Sequence, residues 1–333
     1  MNLEKIFRIA VFFVLSACLS FNVLAKDKVI LATNWFAQAE LGGFYQALAN
    51  NIYLKYNLDV SIRSGGPGVN TKALLIADKV DFNIGGSAGA LNFVNSGVPF
   101  KAVAAIFQKD PQVLISHPNQ GNDTIQDFVG KTLLISKFNK VTFWPFLKTK
   151  FNFKDEQIKP YNFSLQPFLN DVSAIQQGYV TSEPYSIEKV TGIKPVVNLL
   201  ADYGYMPYAT TIETSNALIE SNPDLVQRFV NASIEGWYSY LFNNPDPGNL
   251  LIKSHNKDMT DDLINFARQE MINRGIVFSG KAVSDCIGAM SNMRWKSFYE
   301  LMRDQNLYSD NMNYKEAFTL EFVNSAQCNK FNQ

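Results

Sequence analysis

Several chemistries are missing from this 333-residue chain. It holds three cysteines and two histidines, with no HExxH, no CxxC and no histidine pair at helical spacing, which argues against a metal centre. Neither the GxGxxG fingerprint of dinucleotide binding nor a GxxxxGK phosphate loop occurs, and no cofactor is expected. The 30 basic and 30 acidic residues cancel and form no basic stripe, so nucleic acid is excluded as an expected partner. Beyond residue 25 no apolar run approaches the roughly 20 residues that span a bilayer, because charges or prolines interrupt each one. What is present is 47% hydrophobic and 13% aromatic, enough for folded cores and against disorder.

The N-terminus carries an address. Lys5 and Arg8 give a short basic start, Ile9 to Phe21 carries no charge, and Val23-Leu24-Ala25 offers small residues where a signal peptidase reads. That order is a secretory signal, residues 1–25, and places the mature protein in the periplasm. Leu15-Ser16-Ala17-Cys18 also fits a lipobox with Cys18 as the lipidated residue, although Leu19 to Ala25 lacks the usual polar tether. Two cysteines remain, Cys286 and Cys328, an even pair that can form a disulfide in an oxidising compartment.

From Lys28 to Phe107 strand and helix patterns alternate. Val29 to Ala32, Leu58 to Ile62, Val80 to Ile84 and Phe100 to Phe107 read as strands, and Leu41 to Asn51, Thr71 to Ala77 and Ala88 to Asn95 as helices. Such units predict a parallel, doubly wound α/β sheet. A smaller α/β unit follows. Its strands are expected over Lys131 to Ser136, Tyr179 to Thr181 and Val196 to Leu200, and its helices over Val141 to Lys150 and Leu169 to Gln176. After Asp202 the pattern turns helical, most clearly over Pro223 to Phe242, which Asn222 caps. The chain is expected to cross between the two units near Gln108–Val113 and Ala201–Ala209.

Gly85-Gly86-Ser87-Ala88-Gly89 reads G-x-S-x-G between a strand and a helix, the context of a nucleophile elbow. With His255 as base this would make an exported serine hydrolase. His255, however, lies in the polar stretch Lys253 to Lys257, read as an exposed loop, and no HGGG-type oxyanion segment is visible. The alternative is a tight turn whose N–H groups and Ser87 hydroxyl face a ligand at a helix N-terminus. Asn34-Trp35-Phe36 follows the first strand, where open α/β sheets bind ligands. Tyr161-Asn162-Phe163 and Glu183-Pro184-Tyr185 bring more aromatics and a carboxylate, a set suited to a flat, mostly neutral ring.

Asn34-Trp35, Gly43-Phe44-Tyr45-Gln46-Ala47, Leu58-Asp59-Val60, Gly65-Gly66-Pro67, Lys79-Val80-Asp81-Phe82, Ser173 to Tyr179 and Thr181 to Tyr185 together resemble the SsuA/THI5-like (NMT1) family. Within it, the chain is most similar to the solute-binding proteins of bacterial ABC importers. The resemblance implies a two-lobed periplasmic-binding-protein fold, type II-like, closing on a ligand between lobes. Residues 26–112 with 205–333 would form lobe 1 and 113–204 lobe 2. It implies a small-molecule ligand, an inner-membrane permease as partner, and a monomer. A thiamine pyrimidine precursor suits the residues best, with riboflavin or a sulfonate such as taurine as alternatives. In that reading Trp35, Phe163 and Tyr185 stack on the ligand, and Glu183 accepts hydrogen bonds. Gly86 and Ser87 donate, and Asn34 and Gln38 orient. Family enzymes that consume their own histidine and pyridoxal phosphate carry a Lys and a His in the loop after the third strand. Gly85 and Gly89 stand at those positions here, so catalysis is not expected.

Overall fold

The computed structural model describes residues 25–323; Cys18, Cys328 and all but Ala25 of the expected signal, residues 1–25, lie outside them. Strands β1 (Asp27–Ala32), β2 (Leu58–Arg63), β3 (Phe82–Gly86) and β4 (Phe100–Phe107) come first. They are followed by β5 (Gln112–Ser116), β6 (Leu133–Ile135), β7 (Ile158–Pro160), β8 (Ile175–Tyr179), β9 (Val196–Leu199) and β10 (Ala209–Ser215). They form two sheets, ordered β2-β1-β3-β10-β4 in lobe 1 and β7-β6-β8-β5-β9 in lobe 2.

The sheets are mixed, whereas the βα pattern predicts parallel ones. β1 runs parallel to β2 and β3, and β6 to β7 and β8, but β10 is antiparallel to β3 and β4, and β5 to β8 and β9. The cause is the double crossing. Each strand that opens a βα unit ends at the cleft. A strand that has just crossed from the other lobe starts there and must run away from it. β5 and β10 are those two strands, and each occupies the fourth place in its new sheet.

The helices that position the site are α1 (Gly42–Ala49), α2 (Thr71–Ile76), α3 (Ser87–Asn95), α4 (Trp144–Phe151), α5 (Glu183–Thr191), α6 (Pro223–Phe242), α7 (Asp246–His255), α8 (Asp261–Asn273) and α9 (Asn292–Arg303). α6 begins where its sequence says: the Asn222 side chain accepts from Leu225 N at 3.1 Å and Pro223 takes the first helical position. Its buried face drives Phe229 between Phe82, at a centroid distance of 3.9 Å, and Tyr53, at 5.5 Å. Trp237 meets Phe44 and Phe107 edge-on, both at 5.8 Å. Each such ring stabilises by about 1.5–3 kcal/mol through burial alone.

Three sequence expectations need correction. The helix expected over Leu169 to Gln176 is a short helix at Gln166–Asn170 followed by strand β8. Asp171 turns the chain, its carboxylate accepting from Ser173 N at 3.0 Å and from Ser173 Oγ at 2.6 Å. The stretch with His255 is the last turn of α7 rather than a loop, with Asp246 at its start and Lys253 and His255 at its end, as the helix dipole favours. The expected helical pattern after Asp202 hides β10.

Among the described residues no helix is long and apolar enough to cross a membrane. Cys286 is buried and disulfide-bonded; its expected partner, Cys328, is outside the described residues.

Candidate functional site

The loop after β1 is the first wall of the cleft. Thr33 follows the last residue of β1, and its hydroxyl donates to Trp35 O at 2.8 Å, fixing the turn that carries Asn34, Trp35 and Phe36. The β2 loop seats it: a Cβ at Gly65 would lie 2.3 Å from Thr33 O, so only glycine permits this approach. Trp35 is half-buried, while Asn34 and Phe36 are exposed. Gln38 is half-buried and precedes the 3-10 turn Ala39–Leu41, its carbonyl accepting from Leu41 N at 3.0 Å.

Lobe 2 answers with the loop after β7. Phe163 meets Trp35 across the cleft at a centroid distance of 5.2 Å, and Tyr161 stands 5.3 Å behind Phe163. Phe163 holds φ at +61° and remains 52% exposed. A left-handed aromatic residue costs on the order of 1–3 kcal/mol and persists where surrounding structure imposes it.

Two carboxylates lie in this cleft. Glu183, at the first position of α5, accepts from Tyr179 N at 2.7 Å and from the Tyr161 hydroxyl. Burial pushes its carboxyl up from the usual range, against those hydrogen bonds. Glu40, on the 3-10 turn of lobe 1, accepts a hydrogen bond from the Thr181 hydroxyl of lobe 2. Burial is the main cause that pushes Glu40 up to about 7, and the nearby Glu183 charge adds to it, while Thr181 opposes it. Glu40 is a residue that sequence reasoning misses.

Behind the rings, lobe 2 presents buried polar side chains. Gln177 accepts from Ser136 N at 2.6 Å, and Thr142 donates to Asn139 at 2.9 Å. Both Gln176 and Gln177 are buried in β8. Two adjacent glutamines between apolar residues were the available signal, obscured by reading this segment as helix.

Other expected site residues are committed within the protein. The Ser87 hydroxyl accepts from Tyr208 N at 2.8 Å and Ser87 N donates to Tyr208 O at 3.0 Å. The Gly86 backbone hydrogen-bonds the buried Glu213 carboxylate. These groups were expected to donate to a ligand; they instead fasten β3 to β10 and its crossing. Tyr185 was expected to stack on ligand but packs on Phe266 of α8 at 5.4 Å, with Lys189 donating to its hydroxyl at 2.9 Å. Residues 183 and 185 of a helix differ by about 200°, so the two side chains leave the helix on opposite sides, Tyr185 toward α8 of the other lobe.

The serine-hydrolase pair is not assembled either. His255 Nδ1 lies 2.9 Å from Leu251 O, and its ring meets Tyr45 edge-on at 5.6 Å. At position 85 a side chain would begin 2.0 Å from Glu213 Oε1, and at position 89 it would begin 2.4 Å from Lys72 Nζ. Neither position offers the amine or imidazole that pyridoxal-phosphate chemistry of the resembling enzymes requires, so the residues present do not fit that cofactor.

The two crossings between lobes are clamped by one cation. Arg294 on α9 donates from Nη2 to Gln108 O in the first crossing and to Pro207 O in the second at 2.8 Å, and from Nε to Met206 O at 2.8 Å. Its guanidinium lies 4.0 Å from the Tyr208 ring centroid. Lys109 and Asp202 pair across the crossings at 3.3 Å. Two surface concavities of about 410 and 390 Å³, one beside Val129 and Lys154 and one between Trp144 and Leu307, lie outside the cleft. Neither gathers facing rings and carboxylates, so the cleft is the candidate site.

A model of the family described as NMT1/THI5 like matches residues 38–247. Riboflavin-binding protein RibY of Chloroflexus aurantiacus is 23% identical over 306 residues, spanning 89% of this chain and 86% of its own. Among solved structures, the periplasmic aliphatic sulphonate binding protein SsuA from Escherichia coli superposes with a TM-score of 0.65 at 11% identity, covering 87% of this chain and 91% of that one. The desulfurization enzyme DSZB does so with a TM-score of 0.56 at 13% identity, covering 92% and 99%. The chain thus has the two-lobed periplasmic-binding-protein fold. A fold shared by a binder and an enzyme does not decide between them.

Proposed function

The chain belongs to the NMT1/THI5-like family, and from that premise we propose that it is the extracytoplasmic solute-binding component of an ABC importer, with no chemistry of its own. The observation that carries this reading is the meeting of Trp35 and Phe163 across the cleft at 5.2 Å. The two rings touch, tilted at 50°, so a flat ligand would stack on them once the lobes part about the crossings. RibY is named as a riboflavin binder and SsuA as a sulphonate binder. A small heteroaromatic compound such as a thiamine pyrimidine precursor suits this cleft better than a sulfonate, because Glu40 and Glu183 would repel an anion. Periplasmic export by the N-terminal signal and delivery to a permease belong to the same proposal.

The test is mass spectrometry of small molecules released from the purified protein, with a thermal-shift panel of pyrimidine precursors, riboflavin, thiamine and taurine. A ligand that binds only the folded state raises the melting temperature. Trp35→Ala is expected to weaken the ligand found by about ten-fold or more, the scale of an aromatic contact plus lost burial. Unchanged affinity would refute the site.

A further inference from the structure

The reading of the cleft as a solute site leaves its charge preference open, and the following inference rests on that reading. Glu40 enters the cleft because the 3-10 turn Ala39–Leu41 directly follows the Trp35 loop. Its side chain is buried at 5% exposure, and among the described residues the one side chain it hydrogen-bonds is Thr181, which is fully buried in the opposite lobe. Glu183 acts on it through its charge, and the Tyr179 and Tyr240 hydroxyls feel the Glu40 charge in turn. Among the described residues neither Glu40 nor Glu183 has a lysine, arginine or histidine within 4.0 Å. Lys189, in the same lobe contact, is taken by Tyr185 and by Asp262 at 3.6 Å. Arg268, beneath Tyr240, is taken by the carbonyls of Tyr240 and Leu241.

Two carboxylates near each other, Glu40 buried and Glu183 half-buried, repel each other unless a proton or a positive group joins them. Each carboxylate offers about four lone-pair sites. Tyr179 N, the Tyr161 hydroxyl and its own backbone take three on Glu183, and Thr181 and its own backbone take two on Glu40, so an acceptor position remains on each. They lie in the same cleft as the Trp35–Phe163 pair, which would grip the plane of a ligand while the carboxylates read its edge.

We propose that Glu40 and Glu183, one from each lobe, are the specificity-determining pair of this cleft, and that they select a planar ligand bearing an amidinium-like cation over neutral and anionic molecules of the same shape. Because Glu40 spans the lobes through Thr181, such a ligand also draws the lobes together. A carboxyl held near pH 7 by burial keeps its proton part of the time, and a cation displaces that proton. Binding of a cation therefore strengthens as pH rises through 7, and binding of a neutral ligand does not.

Benzamidine, benzamide and benzoate share one ring and differ in charge. Their affinities for the full chain, measured by NMR titration at pH 6 and pH 8, test the inference directly. At pH 8 benzamidine is expected to bind about ten-fold more tightly than benzamide, the scale of a charge-assisted hydrogen bond, with benzoate weakest. At pH 6 the preference shrinks. In Glu40→Gln, and separately in Glu183→Gln, benzamidine loses about ten-fold while benzamide is retained. A wild type that does not rank the three by charge overturns the inference without any variant, and so does a folded Glu40→Gln that keeps the ranking. If a compound from the thermal-shift panel binds and benzamidine does not, charge selection is wrong and the solute-binding reading stands. If nothing binds, both fall.

Discussion

Glu40→Gln should make the unliganded protein more stable at pH 8 and leave it nearly unchanged at pH 4.5. Burial raises this carboxyl from 4.5 to about 7, so between those values the folded chain holds a proton that the unfolded chain has released. Stability therefore falls as pH rises through that window and is level above it. At about 1.4 kcal/mol per pH unit, the interval corresponds to about 3 kcal/mol. Glutamine keeps a polar partner for Thr181 and carries no charge, so the variant escapes the loss. The figure is an upper limit, because opening the cleft rehydrates Glu40 without unfolding either lobe. Asp110, pushed up to about 6 by burial, bends the pH profile the same way but is common to both proteins and cancels in the difference. Urea unfolding of ligand-free wild type and variant at pH 4.5, 6 and 8 gives the midpoints. A difference that grows with pH toward 3 kcal/mol supports the reasoning. A variant equal to wild type at pH 8, or better by the same amount at every pH, refutes it. The expected outcome opposes stability to function: the charge that costs the unliganded fold is the one a cationic ligand would use.

Two further outcomes probe the scaffold. Ser87→Ala leaves the buried Tyr208 N–H without its acceptor and should cost about 1–3 kcal/mol in unfolding free energy; a fluorophosphonate serine probe should label neither protein, and labelling of folded wild type would revive the hydrolase. Arg294→Lys replaces a fork that holds both crossings by a point charge that cannot span them. It should cost about 2 kcal/mol and speed amide hydrogen exchange over residues 204–210, and unchanged exchange there would show that the clamp is idle.

The strands of lobe 1 are legible because each is local. Phe100 to Phe107 is a strand of the expected length, and Val29 to Ala32 and Leu58 to Ile62 lie within β1 and β2. In lobe 2, β6 and β9 fall within the expected Lys131 to Ser136 and Val196 to Leu200, whereas β5, β7 and β8, three to five residues long, are too short for a period of two to stand out. Trp35 is placed by the rule that ligand loops follow the carboxyl ends of strands, whereas Phe163 rests on its aromatic ring alone, because the strand before it, β7, is not expected from the sequence. Glu40 is not recoverable, because Ala39-Glu40-Leu41 reads as the start of an amphipathic helix, and what buries its carboxyl is Thr181, 141 residues away in sequence. Tyr185 was misplaced because the helix that begins at Glu183 rotates it onto Phe266.

The distribution of contacts says which part of the molecule is built to move. At the crossings, Arg294, Ser87 and Tyr208 form buried or charge-assisted hydrogen bonds that hold the backbone of both segments. At the cleft, the lobes meet through contacts of another kind, among them the packing of Tyr185 on Phe266 at 5.4 Å. Lys189 and Asp262 are exposed and screened by salt, so their pairing stabilises little. The tilted Trp35–Phe163 pair adds about 0.5–1.5 kcal/mol. The Thr181–Glu40 hydrogen bond is opposed by the cost of keeping that carboxyl dry. Each of these cleft contacts is thus weak or opposed, while the crossings are held by buried and charge-assisted hydrogen bonds. A ligand can shift the balance between open and closed lobes only by its difference in affinity for the two states. The groups that supply a difference are those divided between the lobes: Trp35 with Phe163, and Glu40 with Glu183. A ligand that touches both pairs gains contacts on closing that neither lobe offers alone, whereas one that touches a single lobe binds without moving the other.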